Sequence, residues 1–173
     1  MVNYRRNKTG NPDDIFFITF VTRDRSPWIA RNDLYEPLLD EMKRLTRILK
    51  VKYKAWAILP DHLHWLLRPG GADYSNAVSA FKRGFGAEMK RKALLGKGGR
   101  LWQDRFWEET IRDDDHLRNS IEYIHYNPVK HGLVVSPGEW RYSSFHSYVR
   151  RGIYPADWAS GGAISVKGAE YDS

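Results

Sequence analysis

A chain of 173 residues can bury a sizeable core, and no Gly/Ser/Pro-rich linker divides this one, so a single domain is expected. Cysteine is absent, which excludes disulfides, iron–sulfur clusters and thiolate zinc sites and is compatible with a reducing cytoplasm. Lys and Arg number 28 against 21 Asp and Glu, a formal charge of +7 that favours polyanionic partners. Aromatic residues reach 14 %, and charge with rings suits single-stranded nucleic acid, where cations follow phosphates and rings stack on bases. Core filling is the ordinary use of such rings.

Residues 1–14 carry Arg5, Arg6 and Lys8 among Asn, Gly and Pro and read as an irregular basic arm, with neither a signal peptide nor, anywhere in the chain, an apolar run of about 20 residues. Ile15 to Thr22 is aromatic and β-branched with little alternation, the pattern of a central strand covered on both faces. Asp33 with Glu36 three residues on spells a capping box, and Leu34, Leu38, Met42, Leu45 and Leu49 recur at helical spacing as far as Lys50. The run Ala55 to Leu59, the turn signal Pro60-Asp61 and the run His62 to Leu67 predict a β-hairpin.

Alternation in that second strand sends His62 and His64 to one face and Leu63, Trp65 and Leu67 to the other. Two imidazoles on a rigid support suit a divalent metal. The pair equally suits two polar residues on a solvated strand face, so the motif alone does not decide.

A second helix follows, capped by Asp73 or Ser75, with the stripe Val78, Phe81, Phe85 and Met89. Gly84 and Gly86 weaken its middle, which implies a packing reason. Its outer surface collects Lys82, Arg83, Lys90, Arg91 and Lys92 and continues to Lys97 and Arg100, with only Glu88 against them. Leu101 to Ile111 is the last strand candidate. Strand, helix, strand, strand, helix, strand is the α+β, ferredoxin-like order, with the first and third strands central and two helices on one face of an antiparallel sheet.

Asp113, Asp114 and Asp115 open a third helix, complementing its dipole. Leu117, Ile121 and Ile124 form its stripe, and at about 100° per residue Tyr123 and Asn127 share one flank, with His116 and Ser120 nearby. Pro128 is expected to stop the helix and leave the Asn127 amide at a frayed end. A packed ring and a cap would use the same two residues.

Ile58-Leu59-Pro60-Asp61-His62-Leu63-His64, followed by Tyr123-Ile124-His125-Tyr126-Asn127-Pro128-Val129-Lys130-His131-Gly132-Leu133-Val134, resembles the HUH single-tyrosine transposases related to the IS200/IS605 type, and within them the REP-associated tyrosine transposases. Tyr4-Arg5-Arg6, the first strand and Trp140 to Tyr148 support the likeness, which runs from Tyr4 to Trp158. It implies one transposase domain over residues 1–159 and a C-terminal helix that carries the nucleophile, while residues 160–173, with Gly161, Gly162 and Gly168, read as a flexible tail that either dangles or folds back. The implied activity is cutting and rejoining single-stranded DNA at REP-like hairpins.

By the same resemblance His62, His64 and Asn127 hold Mg2+ or Mn2+, and Tyr123 attacks the phosphodiester to leave a 5′-phosphotyrosine link and a free 3′-OH. Tyr126 is a substitute nucleophile of lower rank. His125 and His131 read as structural or DNA-contacting; Arg5, Arg6, the cluster from Lys82 to Arg100 and Arg141 as phosphate contacts; and Trp102, Phe106 and Trp107 as core or stacking rings. A free phenol has a pKa near 10, so only about one in a thousand is ionised at pH 7, a deficit of roughly 4 kcal/mol that the site must supply or evade. The implied partner is hairpin-forming single-stranded DNA, the protein acting as monomer or homodimer, cytoplasmic and nucleoid-associated in a bacterial-type cell. Two other readings fit the residues: a non-cutting DNA or RNA hairpin-binding descendant, and hydrolysis by activated water.

Overall fold

The computed structural model describes residue 11 and residues 13–71, 73–96 and 98–160. At its centre β1 (Phe16–Val21) is hydrogen-bonded antiparallel to β3 (His62–Arg68) on one side and to β4 (Trp107–Thr110) on the other. β2 (Lys52–Ile58) pairs with β3 at the far edge, giving the order β2-β3-β1-β4. This is the ferredoxin-like arrangement, with the expected pair of central strands.

The unbroken apolar run of β1 follows from covering on both faces. Phe16, Ile18 and Phe20 pack with Leu38, Met42 and Leu45 of α2 (Tyr35–Leu49) and with Val78, Phe81, Phe85 and Met89 of α3 (Tyr74–Arg91). Phe17 turns the other way, into a smaller cluster with Ala55, Ala57, Leu66, Tyr123 and Ile124. That second face is covered by α4 (Asp114–Lys130), whose Leu117, Ile121 and Ile124 lie against it as their spacing predicts. No helix among the described residues is long and apolar enough to cross a membrane.

Local details depart from the sequence reading in four places. The Asp33–Glu36 capping box does not form. The turn that ends α1 (Trp28–Arg31) runs on through Asp33 N to Ala30 O, 3.2 Å, and Leu34 N to Ile29 O, 2.9 Å. Asp33 is thereby held at φ 47°, away from the extended backbone an N-cap needs, and Leu34 precedes α2 with no side-chain cap. Of the two weak points in α3, Gly84 has a reason, since a Cβ there would lie 2.2 Å from Glu41 Oε1, whereas at Gly86 nothing comes within 4 Å. β4 is shorter than Leu101 to Ile111, because Trp102 makes only an isolated bridge to Thr22 and Gln103 bonds back to Val21 O.

The fourth departure bears on the site. α4 continues through Pro128 to Lys130. Proline forfeits one bond to the preceding turn, but here it falls in the last turn, where Asn127 O accepts from His131 N at 3.0 Å and Pro128 O from Leu133 N at 3.0 Å. Asn127 is therefore a helical residue with a set direction. Beyond α4, the chain returns along the open edge of β2 (Ile58 N to Tyr142 O, 2.9 Å; Ser144 N to Trp56 O, 2.9 Å) and forms α5 (Phe145–Arg150).

Candidate active site

Pleating places His62 and His64 on the face of β3 that α4 covers, and both are buried, so the solvated-face alternative falls away. Each ring is held from behind. His62 Nδ1 lies 2.6 Å from Asp61 Oδ1, and His64 Nδ1 lies 2.8 Å from the hydroxyl of Thr19, its register partner on β1. Burial works to raise the Asp61 carboxyl, but the hydrogen bond and charge of His62 outweigh it and keep that group below its ordinary value. A carboxylate on Nδ1 accepts the proton carried there and orients the ring so that Nε2 faces into the site.

α4 supplies the opposing wall. The Tyr123 ring meets His64 edge-on with centroids 5.6 Å apart and packs against Phe17 at 6.0 Å. One turn later Asn127 Oδ1 lies 3.2 Å from His62 Nε2. The rings of His62 and His64 are 4.9 Å apart, and His131, at the C-cap of α4, brings a third ring within 4.9 Å of His62. Lys130 folds back along the helix, its Nζ 3.1 Å from Tyr123 Oη and 4.8 Å from the ring centroid. The expected quartet of Tyr123, Asn127, His62 and His64 is thus gathered in one place.

Among the described residues no three His, Asp or Glu side chains form a metal cage; what converges is two imidazoles and one amide. The donors still suit a divalent cation. Two ligands about 2.1 Å from one ion at right angles lie about 3.0 Å apart, close to the observed gap between His62 Nε2 and Asn127 Oδ1 of 3.2 Å. The buried Asn127 Nδ2 has no hydrogen-bond partner among the described residues, so nothing there holds the amide in a different role.

Other expected residues lie elsewhere. The basic surface of α3 is across the sheet from the histidines. There Arg83 and Lys90 are exposed, Arg91 is engaged by Glu88 at 2.6 Å with Lys92 3.7 Å from the same carboxylate, and beyond the helix Arg100 pairs with Asp104. Lys82 is turned inward over the rings of Phe20 and Phe106, at 5.8 and 5.4 Å, where burial lowers its pKa. Trp102 and Phe106 pack around Phe20, and Trp107 against Phe17, so these rings serve the core. Arg5, Arg6, Lys97 and the tail beyond Ser160 lie outside the described residues.

Arg141 pairs with Glu36 at 3.2 Å. His125 is fully buried, with Nε2 2.8 Å from Ser144 Oγ and its ring among Phe145, Tyr148 and Tyr154, a structural role. Tyr126 is half-buried, next to the fully buried His125. His116 is drawn to Glu109 at 3.4 Å, and Ser120 is buried on α4. Sequence reasoning missed Thr19, Asp61 and Lys130. Asp61 adjoins His62 and Lys130 lies one heptad past Tyr123, so both carried a signal; Thr19 carried none until β1 and β3 were paired.

Comparison with known proteins agrees with this geometry. A family model described as "Transposase IS200 like" matches residues 15–127. A REP-associated tyrosine transposase of Escherichia coli is 35 % identical over 146 residues, covering 83 % of this chain and 84 % of its own. A Haemophilus influenzae relative assigned to the same group is 36 % identical over 177 residues, covering 97 % and 99 %. A solved REP-associated tyrosine transposase bound to a REP hairpin superposes with a TM-score of 0.76 at 32 % identity, covering 98 % of both chains. A transposase structure from Deinococcus radiodurans, at 19 % identity and a TM-score of 0.50 over 73 % of this chain and 97 % of that one, shares the fold.

Proposed function

Because the chain belongs to the IS200-like transposase family, among its REP-associated tyrosine transposases, we propose that it cuts and rejoins single-stranded DNA at REP-like hairpins with Tyr123 as nucleophile and a divalent cation held by His62, His64 and Asn127. The observation that carries this reading is the meeting of a phenol and an amide from α4 with two imidazoles from β3, the His62–Asn127 gap being 3.2 Å and the His64–Tyr123 ring separation 5.6 Å. Hairpin DNA as substrate is supported by the similarity to a relative solved with a REP hairpin.

As three neutral ligands, His62, His64 and Asn127 would leave a bound cation its full charge, and the cation would supply Lewis-acid stabilisation of the scissile phosphate and the departing 3′ oxygen. The remaining work falls to the chain. Asp61 and Thr19 lock the imidazoles, so the donors need little reorganisation when DNA arrives. Edge-on contacts from Phe17 and His64 help to hold the Tyr123 ring in place, which favours in-line attack. The Oη–phosphorus bond forms as the bond to the 3′ oxygen breaks; the phenol proton passes to solvent and the 3′ oxygen takes one from water.

Incubation with a single-stranded hairpin and Mn2+, followed by denaturing electrophoresis, tests this. A covalent protein–DNA adduct is expected from the wild-type protein and none from Tyr123→Phe. Hairpin binding in EDTA without cutting under any divalent metal would mark a binding module, and cut DNA without adduct would mark activated water.

A further inference from the structure

The sequence reading gives Lys130 no role, yet it makes a direct polar contact with the proposed nucleophile. From the last turn of α4 its Nζ donates to Tyr123 Oη at 3.1 Å, and the ammonium lies 4.8 Å from the ring centroid. The spacing makes this reach natural. Seven residues are two turns, about 10.5 Å along the axis and only about 20° short of the same face, and helical side chains lean toward the N-terminus over the preceding turn. A lysine that served only to complement the helix dipole would need no such direction, since the free carbonyls of the last turn point the other way.

Lys130 is exposed while Tyr123 is 4 % exposed, so the ammonium stands over the phenol on the side open to solvent. A phosphate that reaches Oη therefore meets a positive charge at the same point. We infer that Lys130 is a positioning residue for Tyr123: it directs Oη at the scissile phosphate and complements the negative charge that Oη carries once its proton has left and before its bond to phosphorus is complete. The inference rests on the phosphotyrosine reading above.

The chemistry sets its own signature. In cutting, the Oη–phosphorus bond forms, the bond to the 3′ oxygen breaks, the phenol proton goes to solvent and the 3′ oxygen is protonated from water. In rejoining, the 3′ hydroxyl attacks, the Oη–phosphorus bond breaks and the phenol recovers its proton from water. Charge gathers on Oη in both directions, so a donor aimed at it speeds both by the same factor and leaves the balance between adduct and intact strand unchanged.

The test compares wild type, Lys130→Met and Lys130→Arg in single-turnover formation and reversal of the hairpin adduct at saturating Mn2+, alongside hairpin affinity measured in EDTA. Lys130→Met is expected to slow both directions about 10- to 100-fold with affinity in EDTA unchanged, and Lys130→Arg to recover part of the rate. The unchanged affinity also shows that the variant is folded. Adduct formed by Lys130→Met at the wild-type rate would overturn the role while the phosphotyrosine reading stands, as would an affinity that falls in proportion to the rate, which marks a plain phosphate contact. No adduct from the wild type would overturn that reading and this role together.

Discussion

At the scale of single residues, the site depends on groups that touch no substrate. A metal-binding imidazole must present one lone pair in a set direction, and the partner on its other nitrogen decides which. In the proposed metal site Asp61 would do this for His62 and Thr19 for His64, which they contact at 2.6 and 2.8 Å. Asp61→Asn and Thr19→Val each keep shape and remove the anchoring charge or hydroxyl. Both variants are expected to lose about 10-fold or more in Mn2+ affinity, read by titrating the free-ion electron paramagnetic resonance signal, with circular dichroism unchanged. Affinities within a factor of two of wild type would mean that the rings are held by packing alone. The two anchors also differ in legibility. Asp61 is a chain neighbour of His62, while Thr19 lies 45 positions from His64 and meets it only through strand pairing.

At the scale of elements, α3 shows how one residue type serves two ends. Gly84 sits where α2 and α3 cross, and the Glu41 carboxylate fills the space that a side chain would take. That carboxylate is buried and tied by Arg44, Nε to Oε2 at 2.8 Å, and the guanidinium reaches Ala80 O at 3.2 Å. Gly84→Ala drives a methyl group into this pair and should cost about 1–3 kcal/mol. Gly86→Ala meets nothing and should add about 0.5–1 kcal/mol through helix propensity. Urea unfolding of the two variants should therefore shift in opposite directions; a shift of the same sign would refute the close-approach account. The weakness of both glycines was plain from their place in the helical pattern. Which of them was needed was not, because the pattern of α3 carries no record of where α2 crosses.

For the whole molecule, acid stability follows from the packing of α4 on the chain's return. His125 is buried between α4 and α5 among aromatic rings, and burial, with a smaller contribution from His146, lowers its pKa to about 3. Its unfolded value is near 6.5, so between about pH 6.5 and about pH 3 the unfolded chain binds the extra proton. Stability then falls as pH falls through that window, by up to about 1.4 kcal/mol per pH unit from this group. Thermal melts across the window should show a slope that His125→Gln flattens, and an equally steep slope in that variant would assign the loss to other groups. The net charge of +7 acts in the same direction, since added protons increase self-repulsion.

By itself the sequence determined the order of strands and helices, the two-sided burial of β1, the shared face of His62 and His64, and the flank shared by Tyr123 and Asn127. These are local quantities, set by periods of two and 3.6 residues and readable within one segment. The short blocks around His62 and Tyr123 likewise pointed to the transposase family, because side-chain identities in order are what sequence records. Only the tertiary structure decided that Thr19 backs His64, that Lys130 stands over Tyr123, that α4 runs through Pro128, and that the α3 cations face away from the histidines. Each of these depends on strand register, on the crossing of helices or on which face a helix covers, and those follow from packing the assembled chain.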